Sequence, residues 1–231
     1  MISIDTVYQK VLALANKEQR GYITPQEFNL LAKQAQMEIF EQYFYDEKQE
    51  DKSLKNSLEF SNVDIMLDEK ISAFKKSASV SIPLMSQNGT LPSDLYRLGT
   101  VFDNTKGHNV EQVTEQRRRE LDQSPLTKPS SVYPVFVRTG SSQITFYPTP
   151  VGATFSCNYI KIPKDPNWTY VVVNEKALYN ATNVSDFELH RSDEAELVYK
   201  ILSLAGIVIA KPGLGTYSDQ QITKQQQQEK V

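Results

Sequence analysis

The residues best placed to bind a ligand lie in a loop between the first two helices that the sequence predicts. Asn16, Glu18, Arg20 and Glu27 occupy positions one, three, five and twelve of an EF-hand-like loop, and Gly21 falls at its sharp turn. Calcium requires an oxygen ligand at positions one, three and five of such a loop. Arg20, at position five, supplies no oxygen and adds a positive charge. The loop is therefore interpreted as a corner between two helices, with a degenerate calcium site as the alternative.

Other residues with catalytic or metal-binding chemistry are scattered along the chain. The histidines, His108 and His190, have no second ligand at metal-binding spacing, and Cys157 is the single cysteine. The sequence contains no P-loop, no dinucleotide fingerprint and no Gly-x-Ser-x-Gly motif. We therefore expect no enzymatic activity, no catalytic residue, no bound metal and no cofactor.

A basic cluster is formed by Arg117, Arg118 and Arg119. Glu111, Glu115 and Glu120 are interleaved with these arginines and can pair with them on a helix. The cluster can contact nucleic acid or form ion pairs, within a subunit or between subunits. Ion pairing is favoured because the neighbouring carboxylates cancel the positive field.

Composition and charge narrow the class of protein. The 231 residues are 39% hydrophobic and 23% charged, with a net charge of −3, so charge alone does not drive binding to nucleic acid or to an anionic membrane. The first residues lack the basic and apolar regions of a signal peptide, and the apolar run 207–210 is far too short to span a bilayer. We expect a protein of a cytoplasm-like compartment that makes no membrane contact.

One long helix organises the rest of the chain. Thr24 is predicted to cap it, Pro25 to be its first residue, and Glu27 to complete a capping box. Ile23 and Phe28 are spaced as a hydrophobic staple that fixes how the chain enters the helix. Residues 46–56 are polar and strongly charged. Their sequence is compatible both with a continuation of the helix and with a solvated loop.

The pattern along the chain predicts an α+β protein whose helical bundle is built from both chain ends. Helices are expected over about 5–74 and 192–211, with an antiparallel, β-rich middle over about 77–173. These elements are assigned to a single domain over 1–213, followed by an extended C-terminal arm over 214–231.

Several elements of the middle and the last helix have sharper signals. Strands are predicted over 77–82, 95–102, 133–138, 142–147, 154–160 and 169–173. Phe155, Cys157 and Tyr159 fall on one face of the strand 154–160, so Cys157 is predicted to be a small buried apolar residue. Asn88 and Gly89 are predicted to form a turn, and Thr139 and Gly140 the turn of a hairpin. Ser192 is predicted to cap the last helix.

The C-terminal arm is polar and rich in glutamine. Its apolar residues are too few to pack as a core, so it is expected to order only against a partner. Leu214, Tyr217 and Ile222 are the predicted partner-binding residues, with glutamine amides bonding to exposed backbone. A frayed terminus is the alternative.

Four stretches of the sequence carry a resemblance to a known family. They are residues 20–31 (RGYITPQEFNLL), 91–98 (LPSDLYRL), the sheet run 133–163 with ITFYPTP at 144–150, and 186–189 (DFEL) followed by 196–207 (ELVYKILSLAGI). Together they resemble the ring, or head-to-tail adaptor, proteins of short-tailed bacteriophages, most closely those of crAss-like phages. The resemblance covers most of the chain.

The resemblance implies a structural virion protein of the phage neck. Such proteins assemble as a dodecameric ring below the portal, join head to tail, and line the channel through which double-stranded DNA passes during ejection without sequence recognition. The implied partners are further copies of the chain, the portal and neighbouring ring or tail proteins, with assembly in the bacterial host cytoplasm. The alternative is a cytoplasmic protein-binding module with a degenerate EF-hand-like corner.

The loop over residues 16–27 should bind no calcium at physiological concentrations, because Arg20 stands at a ligand position. Calorimetric titration of the protein with calcium should give no binding heat in the micromolar range, and titration with magnesium is the control. A micromolar site specific for calcium would contradict the interpretation of this loop as a structural corner.

Overall fold

The computed structural model describes residues 1–16, 23–52, 58–83, 86–149, 154–174, 176–208, 220 and 223–224. These residues contain helices and a large curled β-sheet, which confirms the predicted α+β class. The chain divides into two compact units. The helical unit comprises Met1–Ala73 and Pro163–Val231, and the sheet unit comprises Phe74–Ile162.

The described helices and strands have the following bounds and are numbered along the chain within each type. The helices are α1 (Ile4–Asn16), α2 (Pro25–Lys52), α3 (Leu58–Ser72), α4 (Glu115–Gln123) and α5 (Glu194–Val208). The strands are β1 (Lys75–Ser79), β2 (Asn88–Thr90), β3 (Leu95–Asp103), β4 (His108–Gln112), β5 (Val135–Arg138), β6 (Gln143–Tyr147), β7 (Phe155–Lys161), β8 (Tyr170–Val173) and β9 (Lys176–Tyr179).

Helix α2 begins at the predicted capping box. The Thr24 amide donates to Glu27 Oε2 at 2.9 Å, and the Glu27 amide donates to Thr24 Oγ1 at 3.3 Å. The Thr24 amide and hydroxyl both donate to the Glu27 carboxylate, and these two bonds lower its pKa because they favour its charged form. Ile23 and Phe28 are both buried, as a staple requires. The helix continues to Lys52, so the first part of the charged stretch 46–56 is helical, while residues 53–56 lie outside the described residues.

The core of the helical unit is organised around aromatic side chains. Tyr8 of α1 packs against Phe28 of α2 with ring centroids 4.7 Å apart, and against Trp168 at 4.2 Å. Trp168 is 2% exposed, and its indole N–H donates to Asp5 Oδ1 at 3.0 Å. Helix α5 contacts both α1 and α2. The segment that follows the sheet unit is thus held on the first two helices by Trp168.

A buried ion pair connects three elements of this unit. Asp193, at the start of α5, is fully buried and lies 2.9 Å from Lys70 Nζ of α3. The Tyr43 hydroxyl of α2 donates a short hydrogen bond to the same carboxylate. Because a buried carboxylate is costly without partners, these bonds hold α2, α3 and α5 in one arrangement.

The predicted cap of the last helix is wrong. A 3₁₀ turn, Arg191–Asp193, precedes α5, and His190 is its cap. His190 Nδ1 accepts from the Ser192 amide at 3.3 Å. Ser192 lies inside the turn, where its hydroxyl donates to Asp193 Oδ1 at 3.0 Å. Ser192 therefore supports the buried carboxylate instead of capping the helix.

The sheet unit is a seven-stranded sheet in the order β1-β7-β3-β4-β5-β6-β2. Its two edges meet, because Ser81, just after β1, forms a bridge with Thr90 of β2. The prediction of an antiparallel sheet is wrong at one pair, since β4 and β5 are parallel. Parallel neighbours need a crossover, and the stretch that contains α4 provides it.

Apolar side chains fill the inside of the curled sheet. They include Val80, Leu91, Val101, Val110, Phe136, Ile144, Phe146, Phe155, Cys157 and Tyr159. Phe146 and Phe155 stack with centroids 4.3 Å apart. The predicted hairpin of β5 and β6 and the predicted inward face of β7 are confirmed. Burial raises the pKa of the Cys157 thiol, so this cysteine is a small apolar core residue.

The turn predicted at Asn88 and Gly89 is wrong, because both belong to strand β2 and pair with β6. Gly89 serves close packing there. A Cβ atom at this position would lie 2.6 Å from Val80 Cγ1 and 3.0 Å from the Phe146 ring. Any larger residue would therefore displace the core where the two edges of the sheet meet.

The Tyr159 phenol gives the sheet unit a measurable pH dependence. Burial, together with the hydrogen bond to Asp94 at 2.9 Å, raises the pKa of Tyr159 to about 12. The unfolded chain loses this proton near pH 10, so the stabilisation is complete below pH 10 and is lost as the pH rises towards 12.

We expect the free energy of unfolding, measured by urea denaturation, to fall between pH 10 and 12 more steeply in the unchanged protein than in Tyr159→Phe. Tyr133→Phe is the control, because Tyr133 is 74% exposed. Equal slopes in the unchanged protein and Tyr159→Phe would contradict the account of this hydrogen bond.

Candidate functional site

Among the described residues, the candidate metal-binding side chains make structural contacts. His108 stacks on Tyr133 with centroids 6.4 Å apart, and His190 caps the 3₁₀ turn. Glu27 is engaged by Thr24, while residues 17–22 of the EF-hand-like loop lie outside the described residues. Within the described part of the chain, no three His, Cys, Asp or Glu side chains are grouped to hold a metal ion.

Helix α4 carries the predicted arginine cluster on the outside of the curled sheet. Its N-terminus is capped by Thr114, whose hydroxyl accepts from the Arg117 amide at 3.2 Å. No α4 residue is fully buried, and Leu121 packs against the cluster formed by Val113, Val135 and Val137. The helix therefore packs one side against the sheet and presents most of its charged side chains, though not Arg118, to solvent.

Arg118 is the most constrained of the three arginines. Its guanidinium group lies 2.8 Å from Glu115 Oε1 and 2.5 Å from Asp122 Oδ2. The same group lies over the Tyr147 ring, 4.6 Å from the centroid, which adds a cation–π contact. The hydrogen bonds with Glu115 raise the pKa of Arg118 and lower that of Glu115. Arg118 thus fastens α4 to the sheet.

Arg117 and Arg119 point into solvent and are held loosely. Arg117 pairs with Glu120 at 3.0 Å, and Arg119 pairs with Glu115 at 3.3 Å. Their side chains are 62% and 72% exposed, and exposed pairs of this kind contribute little to stability. The sequence analysis treated the three arginines as one cluster. In the structure one of them, Arg118, makes structural contacts, and the other two are accessible to solvent.

A second surface is the hairpin formed by β8 and β9, which pair only with each other among the described strands. Its large apolar side chains are between 44% and 63% exposed. These side chains, here called the hairpin patch, cover both faces of the hairpin. Val171, Val173 and Leu178 lie on one face, and Val172 and Tyr179 lie on the other. The first strand, β8, was predicted from the sequence, whereas the exposure of these side chains was not. The uninterrupted valine run, which lacks the polar alternation of a half-buried strand, was the available signal.

A third exposed apolar group lies on the loop between α4 and β5. Leu126 is 94% exposed, and Val132 and Tyr133 are also exposed. The Lys106 ammonium donates a short hydrogen bond to the Ser131 carbonyl and ties the loop to the turn between β3 and β4.

The predicted partner-binding residues of the arm, Leu214, Tyr217 and Ile222, lie outside the described residues. Their role stays a prediction. None of the helices in the described part of the chain has the length and apolar content needed to cross a bilayer.

The fold and the exposed surfaces define an α+β protein whose prominent described surfaces are suited to protein contacts. The profile of the SU10 adaptor protein family matches residues 63–192, which is more than half of the chain. The chain therefore belongs to the SU10 adaptor protein family, a family of phage adaptor proteins. A comparison with curated proteins found no match.

Family membership confirms the coarser part of the sequence interpretation. The protein is a phage adaptor, a structural component of the virion that connects with portal and tail proteins. The matched residues include the whole sheet unit, Phe74–Ile162, and the β8–β9 hairpin. Both α4 and the hairpin patch thus belong to the part of the chain that defines the family.

Proposed function

We propose that the protein forms a closed ring in the neck of a short-tailed, crAss-like phage, directly below the portal. In this role it joins head to tail and lines the channel through which the genome passes. Membership of the SU10 adaptor protein family is the observation that carries the proposal. The role is structural and involves no catalytic residue, metal or cofactor.

The ring is proposed to be a dodecamer of identical subunits that carries double-stranded DNA by shape, without reading its sequence. A net charge of −3 supports this, because a channel wall that bound phosphates tightly would slow the passage of DNA. The ion pairs along α4 also reduce the positive field of its arginines.

The arginines of α4 are proposed to act between subunits. Arg118 is committed to Glu115, Asp122 and Tyr147 within its own subunit. Arg117 and Arg119 are exposed and can exchange their intrahelical carboxylates for those of a neighbouring subunit at little cost. The two outer arginines are therefore assigned to subunit pairing, with the channel wall as the alternative site.

The double variant Arg117→Gln/Arg119→Gln should weaken ring assembly while leaving the weak affinity for duplex DNA nearly unchanged. Assembly is measured by sedimentation velocity, and DNA binding by fluorescence anisotropy at matched salt. Arg118→Gln is the comparison, because it should lower the thermal stability of the subunit first. Intact assembly with a clear loss of DNA binding would place these arginines on the channel wall instead.

The arm after Pro212 is proposed to bind the portal or the adjacent ring through Leu214, Tyr217 and Ile222. Since the chain that precedes it forms its own core, removing the arm should leave folding intact. Symmetry would multiply a weak contact of each arm into strong attachment of the whole ring.

The proposal is tested by imaging phage particles assembled with the full protein or with a chain that ends at Pro212. The full protein should appear as a ring between portal and tail, and the truncated protein should fold normally and be absent from particles. The triple variant Leu214→Ser/Tyr217→Ser/Ile222→Ser should behave like the truncation. Full incorporation of the truncated chain would contradict the arm, and absence of the full protein from the neck would contradict the ring.

A further inference from the structure

Among the described residues, the curled sheet closes through one bridge. Ser81 and Thr90 exchange backbone hydrogen bonds, at 3.3 Å and 2.8 Å. Continued in the same register, the pairing would reach Pro83 on one side of the bridge and Pro92 on the other. Proline has no amide hydrogen to donate, so the pairing ends on both sides. Strand β1, which precedes Ser81, is therefore left outside this closure.

The outer edge of β1 presents backbone groups along which no described strand lies. β1 is the first strand in the order of the sheet, and β7 is its one neighbour there. The Val80 amide donates to the Phe155 carbonyl of β7 at 2.9 Å, whereas the Ser81 amide donates in the opposite direction, to β2. Because bonded and non-bonded pairs alternate along antiparallel strands, the amides and carbonyls of Ser77 and Ser79 face away from β7.

This open edge is accessible to solvent. Lys75, Lys76, Ser77 and Ser79 are exposed, and Ala78 packs against the apolar interior of the sheet. The edge has room for an added strand as long as β1 itself. In such strand addition, main-chain hydrogen bonds supply affinity, and alternate side chains supply specificity.

The charge of the edge selects what it can bind. Neither β1 nor β7 contains an acidic residue, and β1 contributes Lys75 and Lys76. Lys76 pairs with Asp94 at 3.3 Å, but both side chains are at least 40% exposed, so this pair is easily exchanged. A second β1 edge would add further lysines, and edge lysines oppose pairing of this kind. The edge therefore favours an acidic strand over a second copy of itself.

We propose that the open edge of β1 binds an acidic extended segment of a partner protein, which joins the sheet as a strand antiparallel to β1. Such a segment places an apolar side chain beside Ala78 and carboxylates beside Lys76 and Lys75, where they form cross-strand pairs. The proposal does not rest on a ring, because the edge is complete in each subunit. It gives a specific surface to the protein contacts that membership of the adaptor family implies.

The edge is tested with the synthetic peptide Thr-Val-Thr-Glu-Glu, which carries a benzophenone group at its amino terminus. After irradiation with the full chain, mass spectrometry should find the crosslinks within residues 79–81, where an antiparallel strand would begin. The peptide Thr-Val-Pro-Glu-Glu lacks the amide that would donate to the Ser77 carbonyl, so its crosslink yield should be about tenfold lower.

Matched variants of the chain probe the same contact. Ser77→Pro removes an outward amide without removing a bond to β7, so it should lower the yield about tenfold, while Ser77→Ala should leave it unchanged. Lys75→Glu/Lys76→Glu should also lower the yield, and the peptide Thr-Val-Thr-Lys-Lys should restore it. This charge exchange decides the matter if circular dichroism shows that Ser77→Pro misfolds. Equal yields for all peptides and variants, or crosslinks spread over the surface, would overturn the proposal.

Hydrogen exchange reports whether the edge is occupied in phage particles. In the isolated chain, the Ser77 and Ser79 amides should exchange much faster than the Lys76 and Ala78 amides, which bond to β7. In particles, their exchange should slow by about a hundredfold. Equally fast exchange in particles would show that no strand binds there, and the proposed ring would stand. Protection in the isolated chain that is lost on dilution would assign the edge to a second copy and also overturn the proposal.

Discussion

The arrangement of the helical unit depends on one buried carboxylate. Asp193 has no exposed surface, so its charge must be met by the protein, and Lys70, Tyr43 and Ser192 supply the partners. Removing a single partner from a buried pair typically costs about 3–5 kcal/mol, which is a large part of the stability of a domain. Replacing the whole network by apolar residues would cost far less, because no buried charge would then remain without a partner.

The sheet unit depends on a steric constraint. Its edges meet between Ser81 and Thr90, and next to that meeting Gly89 leaves the space that Val80 and Phe146 occupy. Closing a sheet on itself removes open edges on which chains aggregate. Apolar side chains fill the interior of the unit, and Arg118 fastens α4 to its outside.

Local signals in the sequence were sufficient for several elements. Thr24 and Glu27 lie three residues apart, so their reciprocal bonds could be recognised without knowledge of the rest of the fold. The hairpin of β5 and β6 and the inward face of β7, with Cys157, were likewise predicted from short alternating patterns. Each of these features requires only residues that are close in sequence.

The features that were missed depend on distant residues. Gly89 looks like a turn residue until Val80 and Phe146 are placed beside it. Ser192 is a common helix-cap residue, but its hydroxyl bonds to Asp193, whose carboxylate is buried against the distant Lys70 and Tyr43. His190 becomes the cap instead. The parallel pairing of β4 with β5 follows from the path of the chain through α4. The spacing of apolar residues along the sequence does not indicate this path.

The same limit applies to the candidate interfaces. The valine run of β8 indicates a strand, but its exposure is known only once the strands beside it are known. The arginine cluster was identified from composition, whereas the commitment of Arg118 to Tyr147 required the fold. Whether such a surface is exposed depends on where distant parts of the chain pack, and a local stretch of sequence does not show this.

Family membership makes the protein a phage adaptor, and the central claim beyond it is a closed ring of identical subunits. The most direct measurement is the number of copies of this chain in purified virions, obtained by quantitative mass spectrometry against the portal protein of the same particles. The account predicts a fixed, dodecameric complement that does not change between preparations. A single copy per particle, or a number that varies from one preparation to the next, would contradict it.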